Sequence, residues 1–290
     1  MNKLKGIIFL AIVISLTVSW PLANHLLSHF KSPKTEQTLA EKKQAVIKKQ
    51  KTQGIPTVFI HGWTGTQHTF QSMIDNFTAD YKGPQLALIV HVHPDGTVTQ
   101  SGKLGKQPIP LIQIIFDNNR GTIEQQATWL KQAFHVLKVK DSIDRMNVVS
   151  HSMGGQSFTY YLETIASPKD YPVTEKYVAI AAPFDWANGP QDDTEYTLAQ
   201  LKQRSILYQK RAQIPSQLKV LAIAGVMHDA RQGDGRVGLQ SAFFGKYLFN
   251  PAKYSEQIIH GPKAQHSKLH ENPAVNRLIA KFLWQQKPQK

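Results

Sequence analysis

Residues Met146–Gly155 read Met-Asn-Val-Val-Ser-His-Ser-Met-Gly-Gly, and this stretch decides how the chain is read. An apolar β-branched run, Met146–Val149, ends abruptly in small residues, and a helix-compatible segment, Gln156–Ile165, follows. Strand, sharp turn and helix in that order form a nucleophile elbow with Ser152 at the apex. The spacing has a physical cause. A serine in so tight a turn holds a strained backbone, so the residues two before and two after it must be small. Ser150 and Gly154 occupy those positions, and Gly155 lets the helix lie close to its strand. The helix start also turns free N–H groups toward any anion that forms beside Ser152. Ser150 stands where the G-x-S-x-G pattern has glycine. The plain alternative is an ordinary strand–helix turn.

Outward from the elbow, short apolar runs alternate with helical periodicity, the pattern of a mostly parallel α/β fold. Candidate strands are Pro56–Ile60, Leu86–His93, Leu111–Phe116, Met146–Val149, Tyr177–Ala181, Leu218–Gly225 and Glu256–Ile259. Ile123, Ala127, Leu130, Phe134 and Leu137 recur at helical spacing across Thr122–Val139, a stripe that faces a core. Val275, Leu278, Ile279 and Phe282 do the same in Pro273–Trp284.

Three features accompany Ser152 in the chain order of an α/β-hydrolase. Upstream, Val58-Phe59-Ile60-His61-Gly62-Trp63-Thr64-Gly65 runs a strand into glycines that free the backbone. The backbone N–H groups of Trp63 and Met153 are the candidate oxyanion donors. His61, Gly62 and His151 flank the nucleophile and are assigned to the substrate-contacting wall, with the His61 side chain fixing its loop rather than moving protons. Downstream, Asp234 lies between two glycines after the strand Leu218–Gly225, where a carboxylate orients a histidine. Asp229 and Asp185 are its rivals, and Gly-Asp-Gly also suits a plain turn. The base is His266, in the loop between the last strand and the last helix, with His260 and His270 as alternatives. His270 sits close to the helix start that Asn272 and Pro273 cap.

The set His61-Gly62-Trp63, Ser150–Gly155, Gly233-Asp234-Gly235-Arg236-Val237 and His266–Pro273 resembles the Gram-positive cell-surface α/β-hydrolases, long labelled a domain of unknown function. The resemblance covers Ile55–Trp284. It implies an α/β-hydrolase fold with a mostly parallel central sheet flanked by helices, and a triad of Ser152, Asp234 and His266. It also implies carboxylesterase- or lipase-like activity on small esters. Two departures stand out, Ser150 for glycine and the pair Asp185-Trp186 after Pro183-Phe184.

The mechanism that follows is acyl transfer through a serine intermediate, with no cofactor and no metal. His91 and His93 share one face of a strand, but the chain lacks the paired histidines and glutamate of a zinc protease motif. Residues 186–215 fall where such folds place a small cap. Within it Tyr196, Leu198, Leu201, Ile206, Leu207 and Tyr208 are candidates for an apolar inner face suited to short or medium acyl chains. The same segment also suits a plain cover for the sheet edge.

The composition agrees. A chain of 290 residues suffices for one large α/β domain or two small ones, and the absence of cysteine excludes disulfides and thiolate catalysis. Nine Lys against two Glu in residues 1–52 supply +7 of the formal +14, so the basic excess sits on the N-terminal arm. That distribution, without an aromatic-plus-basic platform, points away from nucleic acid. Lys3 and Lys5 precede an apolar centre, Gly6–Ser19, as in an export signal. Thr17-Val18-Ser19 offers a cleavage site, while the stretch to residue 30 is borderline for a membrane anchor. Residues 31–54 then read as a polar basic tether before a domain over 55–286. The expectation is an exported protein, extracellular or anchored to the outer membrane face. It is a monomer acting on a small ester, with its basic arm against membrane or cell wall. An amidase, an acyltransferase and a catalytically silent binding module are the alternatives.

Overall fold

The computed structural model describes residues 54–165, 168–185 and 197–289. Eight strands in these residues form a single sheet: β1 (Thr57–Ile60), β2 (Pro84–Val92), β3 (Val98–Gly102), β4 (Ile109–Phe116), β5 (Arg145–His151), β6 (Val173–Ile180), β7 (Lys219–Val226) and β8 (Tyr254–His260). Their order is β3-β2-β4-β1-β5-β6-β7-β8. All neighbours are parallel except β2 and β3, which pair antiparallel.

The alternation of side chains sorts this sheet into two cores. Val58, Ile60, Val90, Ile114 and Val148 face one side. There they meet Leu130, Phe134 and Leu137 of α2 (Ile123–Val139) and Phe158 and Tyr161 of α3 (Met153–Thr164). Phe59, Val149, Val178, Ile180 and Ile223 face the other side. They meet Met73, Ile74 and Phe77 of α1 (Gln71–Asp80), and Val275, Ile279 and Leu283 of α7 (Pro273–Trp284). Each β1 residue is buried, as expected of a strand covered on both faces. The Thr122–Gln125 capping box starts α2, and Asn272 with Pro273 starts α7.

Two elements escape the hydrophobic pattern. β3 is polar and largely exposed on a sheet edge, so it carries no apolar alternation. α1 is short, with only three buried residues. In the region read as a cap, residues 186–196 lie outside those described. The remainder contains α4 (Leu198–Arg204) and α5 (Ile206–Lys210). Leu201 and Leu207 are buried in the same core as Phe158 and Tyr161, while Leu198 is exposed. A last short helix, α6 (Leu239–Ala242), follows β7.

The topology positions the site. β1 lies between β4 and β5; the chain leaves it toward β2 on one side and later crosses from β4 to β5 on the other. Ligands in open parallel sheets bind at such a switch point, beyond the carboxyl ends of the strands. Ile60 is in register with Ser150, so Gly62 and Ser152 leave the sheet side by side. No helix among the described residues is long and apolar enough to cross a membrane, and the expected export segment (1–30) and tether (31–54) lie outside them except for Gly54.

Candidate active site

Ser152 has φ 57 and ψ −132, a conformation that costs a non-glycine residue roughly 1–3 kcal/mol. Hydrogen bonds hold it there. Ser152 N–H donates to the Ile180 carbonyl at 2.9 Å, and Gly155 N–H donates to the Ser152 carbonyl at 2.9 Å. A β-carbon at Gly154 would sit 2.5 Å from the His61 carbonyl oxygen, so glycine is obligatory beneath the turn. Ser150 at the usual glycine position has a partner of its own. Its hydroxyl lies 2.9 Å from the Tyr177 hydroxyl, which donates in turn to the Gly155 carbonyl at 3.3 Å. The departure from the motif is therefore accommodated by a buried hydrogen bond beneath the elbow.

Ser152, His266 and Asp234 form one hydrogen-bonded line. The Ser152 hydroxyl is 2.9 Å from His266 Nε2, and His266 Nδ1 is 2.7 Å from Asp234 Oδ2. A carboxylate only accepts, so the imidazole proton sits on Nδ1 and leaves Nε2 as the acceptor for the serine proton. The other Asp234 oxygen accepts from the N–H groups of Arg236 at 2.9 Å and Val237 at 2.8 Å. These bonds fix the orientation of a carboxylate that is 0% exposed. The flanking glycines have positive φ, 56 at Gly233 and 85 at Gly235, which folds the loop back so that both amides reach the side chain. His266 N–H also donates to the Asp234 carbonyl at 2.9 Å, which ties the loops after β7 and β8 together.

The rival residues are committed elsewhere. Asp229 accepts from Arg231 N–H within its own turn. Asp185 accepts from Ser241 Oγ. His260 ends β8 and is exposed. His270 is buried with its ring 4.8 Å from that of His151.

Around the nucleophile, a β-carbon at Gly62 would lie 2.8 Å from Ser152 Cβ and 3.3 Å from the Met153 nitrogen. The loop after β1 is thus pressed against the elbow. The amides of Trp63 and Met153 flank that contact, and neither is engaged in the hydrogen bonds found among the described residues. The side chains of His61 and His151, expected on the substrate-contacting wall, are buried and turned toward backbone groups. His61 Nε2 accepts from Phe116 N–H at 3.1 Å and Nδ1 donates to the Gly62 carbonyl at 2.8 Å, so neither ring nitrogen is left for a substrate. Burial lowers its pKa and keeps it neutral. His151 Nε2–H donates to the His266 carbonyl at 3.0 Å. Burial, reinforced by the charges of His266 and His270, pushes the His151 pKa well below the usual imidazole range.

Further along the same edge of the sheet, Asp117 holds both strand histidines. Its carboxylate oxygens lie 2.8 Å from His91 Nδ1 and 2.5 Å from His93 Nδ1. No group of three or more potential metal ligands among the described residues has the geometry to hold an ion. The linear pattern did not announce Asp117, Tyr177 or Arg120. Arg120 lies after β4 with its guanidinium 5.1 Å from the Trp63 ring centroid. Register is the signal that finds these residues, because Asp117 and Arg120 follow a strand that pairs with both β1 and β2.

The fold and the serine–histidine–aspartate line define a member of the α/β-hydrolase class. The chain belongs to the family described as alpha/beta hydrolases of unknown function, whose model matches residues 44–286. A gene product of Listeria innocua of known structure is 30% identical, with a TM-score of 0.70, and the match covers 82% of this chain and 96% of that one. A protein of Lactobacillus plantarum, provisionally described as a cell surface hydrolase, is 26% identical with a TM-score of 0.68. That match covers 81% of this chain and 94% of the other. No curated protein matches the sequence.

Proposed function

We propose that this hydrolase is a serine esterase that cleaves carboxylic esters with short to medium acyl chains through an acyl-enzyme. The supporting observation is the unbroken line from Ser152 Oγ through His266 to Asp234, at 2.9 and 2.7 Å. His266 Nε2 takes the hydroxyl proton as Ser152 Oγ attacks the ester carbonyl, and Asp234 stabilises the imidazolium. The Trp63 and Met153 amides receive the negative charge that develops on the carbonyl oxygen, a contribution worth roughly 100- to 1,000-fold in rate per donor. The imidazolium then protonates the departing alcohol. Water, deprotonated by His266, releases the carboxylic acid and restores Ser152.

The site works at the cell surface in this proposal. The Lactobacillus plantarum relative carries that description, and the apolar run Gly6–Ser19 followed by a lysine-rich tether has the character of an export segment. The test uses the purified chain with p-nitrophenyl esters of increasing acyl length beside Ser152→Ala. Turnover that declines beyond medium chains and vanishes in the variant supports the reading. Turnover that persists in Ser152→Ala overturns it, and so does a silent protein that also resists a fluorophosphonate probe.

A further inference from the structure

The geometry points to Arg120, stacked over Trp63, as an anion-recognition subsite that selects esters bearing a carboxylate or phosphate group. This rests on the serine-esterase reading above and deepens it by naming the charge of the substrate.

Trp63 is 53% exposed, unusual for a large aromatic residue one position beyond the glycine that abuts the nucleophile. The guanidinium of Arg120 lies 5.1 Å from its ring centroid, within the range of a cation–π contact. The two loops are joined as a unit. Thr64 N–H donates to the Asn119 carbonyl at 2.8 Å, and the Asn119 side-chain amide donates to the Gly65 carbonyl at 3.1 Å. Thr64 is itself held at φ 59, so the backbone around Trp63 is fixed rather than pliant.

Arg120 is solvent-exposed. It forms none of the ion pairs found among the described residues. The nearest acid along the chain, Asp117, has one carboxylate oxygen on His91 and the other on His93. A planar fork of N–H donors resting on an aromatic ring, without a carboxylate of its own, is preorganised to receive an anion. Trp63 carries both the ring beneath this guanidinium and one of the two candidate oxyanion amides, which is why the proposed anion and the scissile carbonyl are assigned to one small molecule. The other +7 of the formal +14, carried by residues 53–290, favours such substrates at longer range.

The experiment compares kcat/KM for p-nitrophenyl butyrate with that for its carboxylate analogue, p-nitrophenyl hemisuccinate, in wild type, Arg120→Gln and Arg120→Lys. The ratio of anionic to neutral ester is expected to fall about 10- to 100-fold in Arg120→Gln, through KM, and less in Arg120→Lys. A ratio unchanged by Arg120→Gln overturns the subsite while leaving the esterase reading intact. A second readout needs no turnover: calorimetric titration of Ser152→Ala with monomethyl succinate and with glycerol 3-phosphate. Weakening of either by Arg120→Gln supports the subsite and tells carboxylate from phosphate, whereas equal binding, or none in the parent, overturns it. Wild type silent on both esters with Arg120-dependent binding retained would sink the esterase reading alone.

Discussion

His151 donates its Nε2–H to the backbone carbonyl of His266 at 3.0 Å, and the two rings lie 4.6 Å apart. The residue just before Ser152 therefore holds the loop that presents His266. His151 must stay neutral to do so, because a second positive charge behind His266 opposes formation of the imidazolium. Its burial supplies that neutrality. His151→Gln retains an amide N–H near the Nε2 position and is expected to keep most of the activity, whereas His151→Leu loses the donor and about tenfold or more in kcat. Steady-state kinetics of the two variants check this, and equal loss in both contradicts a positioning role.

Acid stability follows from the same burial. His61, His151 and His270 all have folded-state pKa values lowered by desolvation. Below the unfolded value of about 6.5 the unfolded chain takes up protons that the folded chain refuses. Their contribution is thus fully present above that pH and is lost as pH falls through it. The slope reaches at most about 1.4 kcal/mol per pH unit for each histidine. Denaturant midpoints measured from pH 7.5 to 5 are expected to decline, and less steeply in His151→Gln.

Glu163 titrates with the opposite consequence. Its carboxyl is buried at the end of α3, neither oxygen has a hydrogen-bond partner, and desolvation raises its pKa to about 8, opposed by Lys210. The folded protein keeps it protonated where the unfolded chain ionises, so its contribution is present below about 4.5 and is lost as pH rises from there to about 8. Glu163→Gln is expected to raise stability at pH 8 by about 1–3 kcal/mol, with little effect near pH 4. Thermal melts at the two pH values distinguish this from a uniform shift.

Gly62→Ala tests the packing of the elbow. The added methyl would meet Ser152 Cβ at 2.8 Å and the His151 carbonyl at 2.9 Å, neither a flexible side-chain end. A displacement of this kind costs about 100-fold in kcat. Circular dichroism and kcat measured together check it: native-like spectra with that loss are expected, and wild-type turnover contradicts the contact.

Ser150→Gly restores the usual motif and is expected to leave turnover intact. It strips one partner from the buried Tyr177 hydroxyl, at a cost of about 1–2 kcal/mol read by denaturant unfolding.

The sheet and the three residues of the serine–histidine–aspartate line were legible in the sequence for a common reason. Buried parallel strands such as β1 and β7 carry continuous apolar runs, Val58–Ile60 and Val220–Val226, and the turns after them carry glycines. Polar edges leave no such trace. Three of the five β3 residues are exposed, as are four of the seven in β8, and the others are half-buried. The roles of His61 and His151 were hidden because residue type names a chemistry but not a direction. Both rings turn toward backbone groups supplied by distant strands or loops, Phe116 and His266. The Arg120–Trp63 contact depends likewise on strand order, which brings β4 beside β1 across more than fifty residues of chain.

The most direct measurement is site-mapped labelling. The wild-type protein would be treated with a fluorophosphonate, digested, and its modified peptide sequenced by mass spectrometry, beside Asp234→Asn. The account predicts one adduct, on Ser152, forming on the order of 1,000-fold more slowly in Asp234→Asn, where the imidazole loses the partner that fixes its tautomer. An adduct on another serine, or labelling of Ser152 that is indifferent to Asp234, would contradict it.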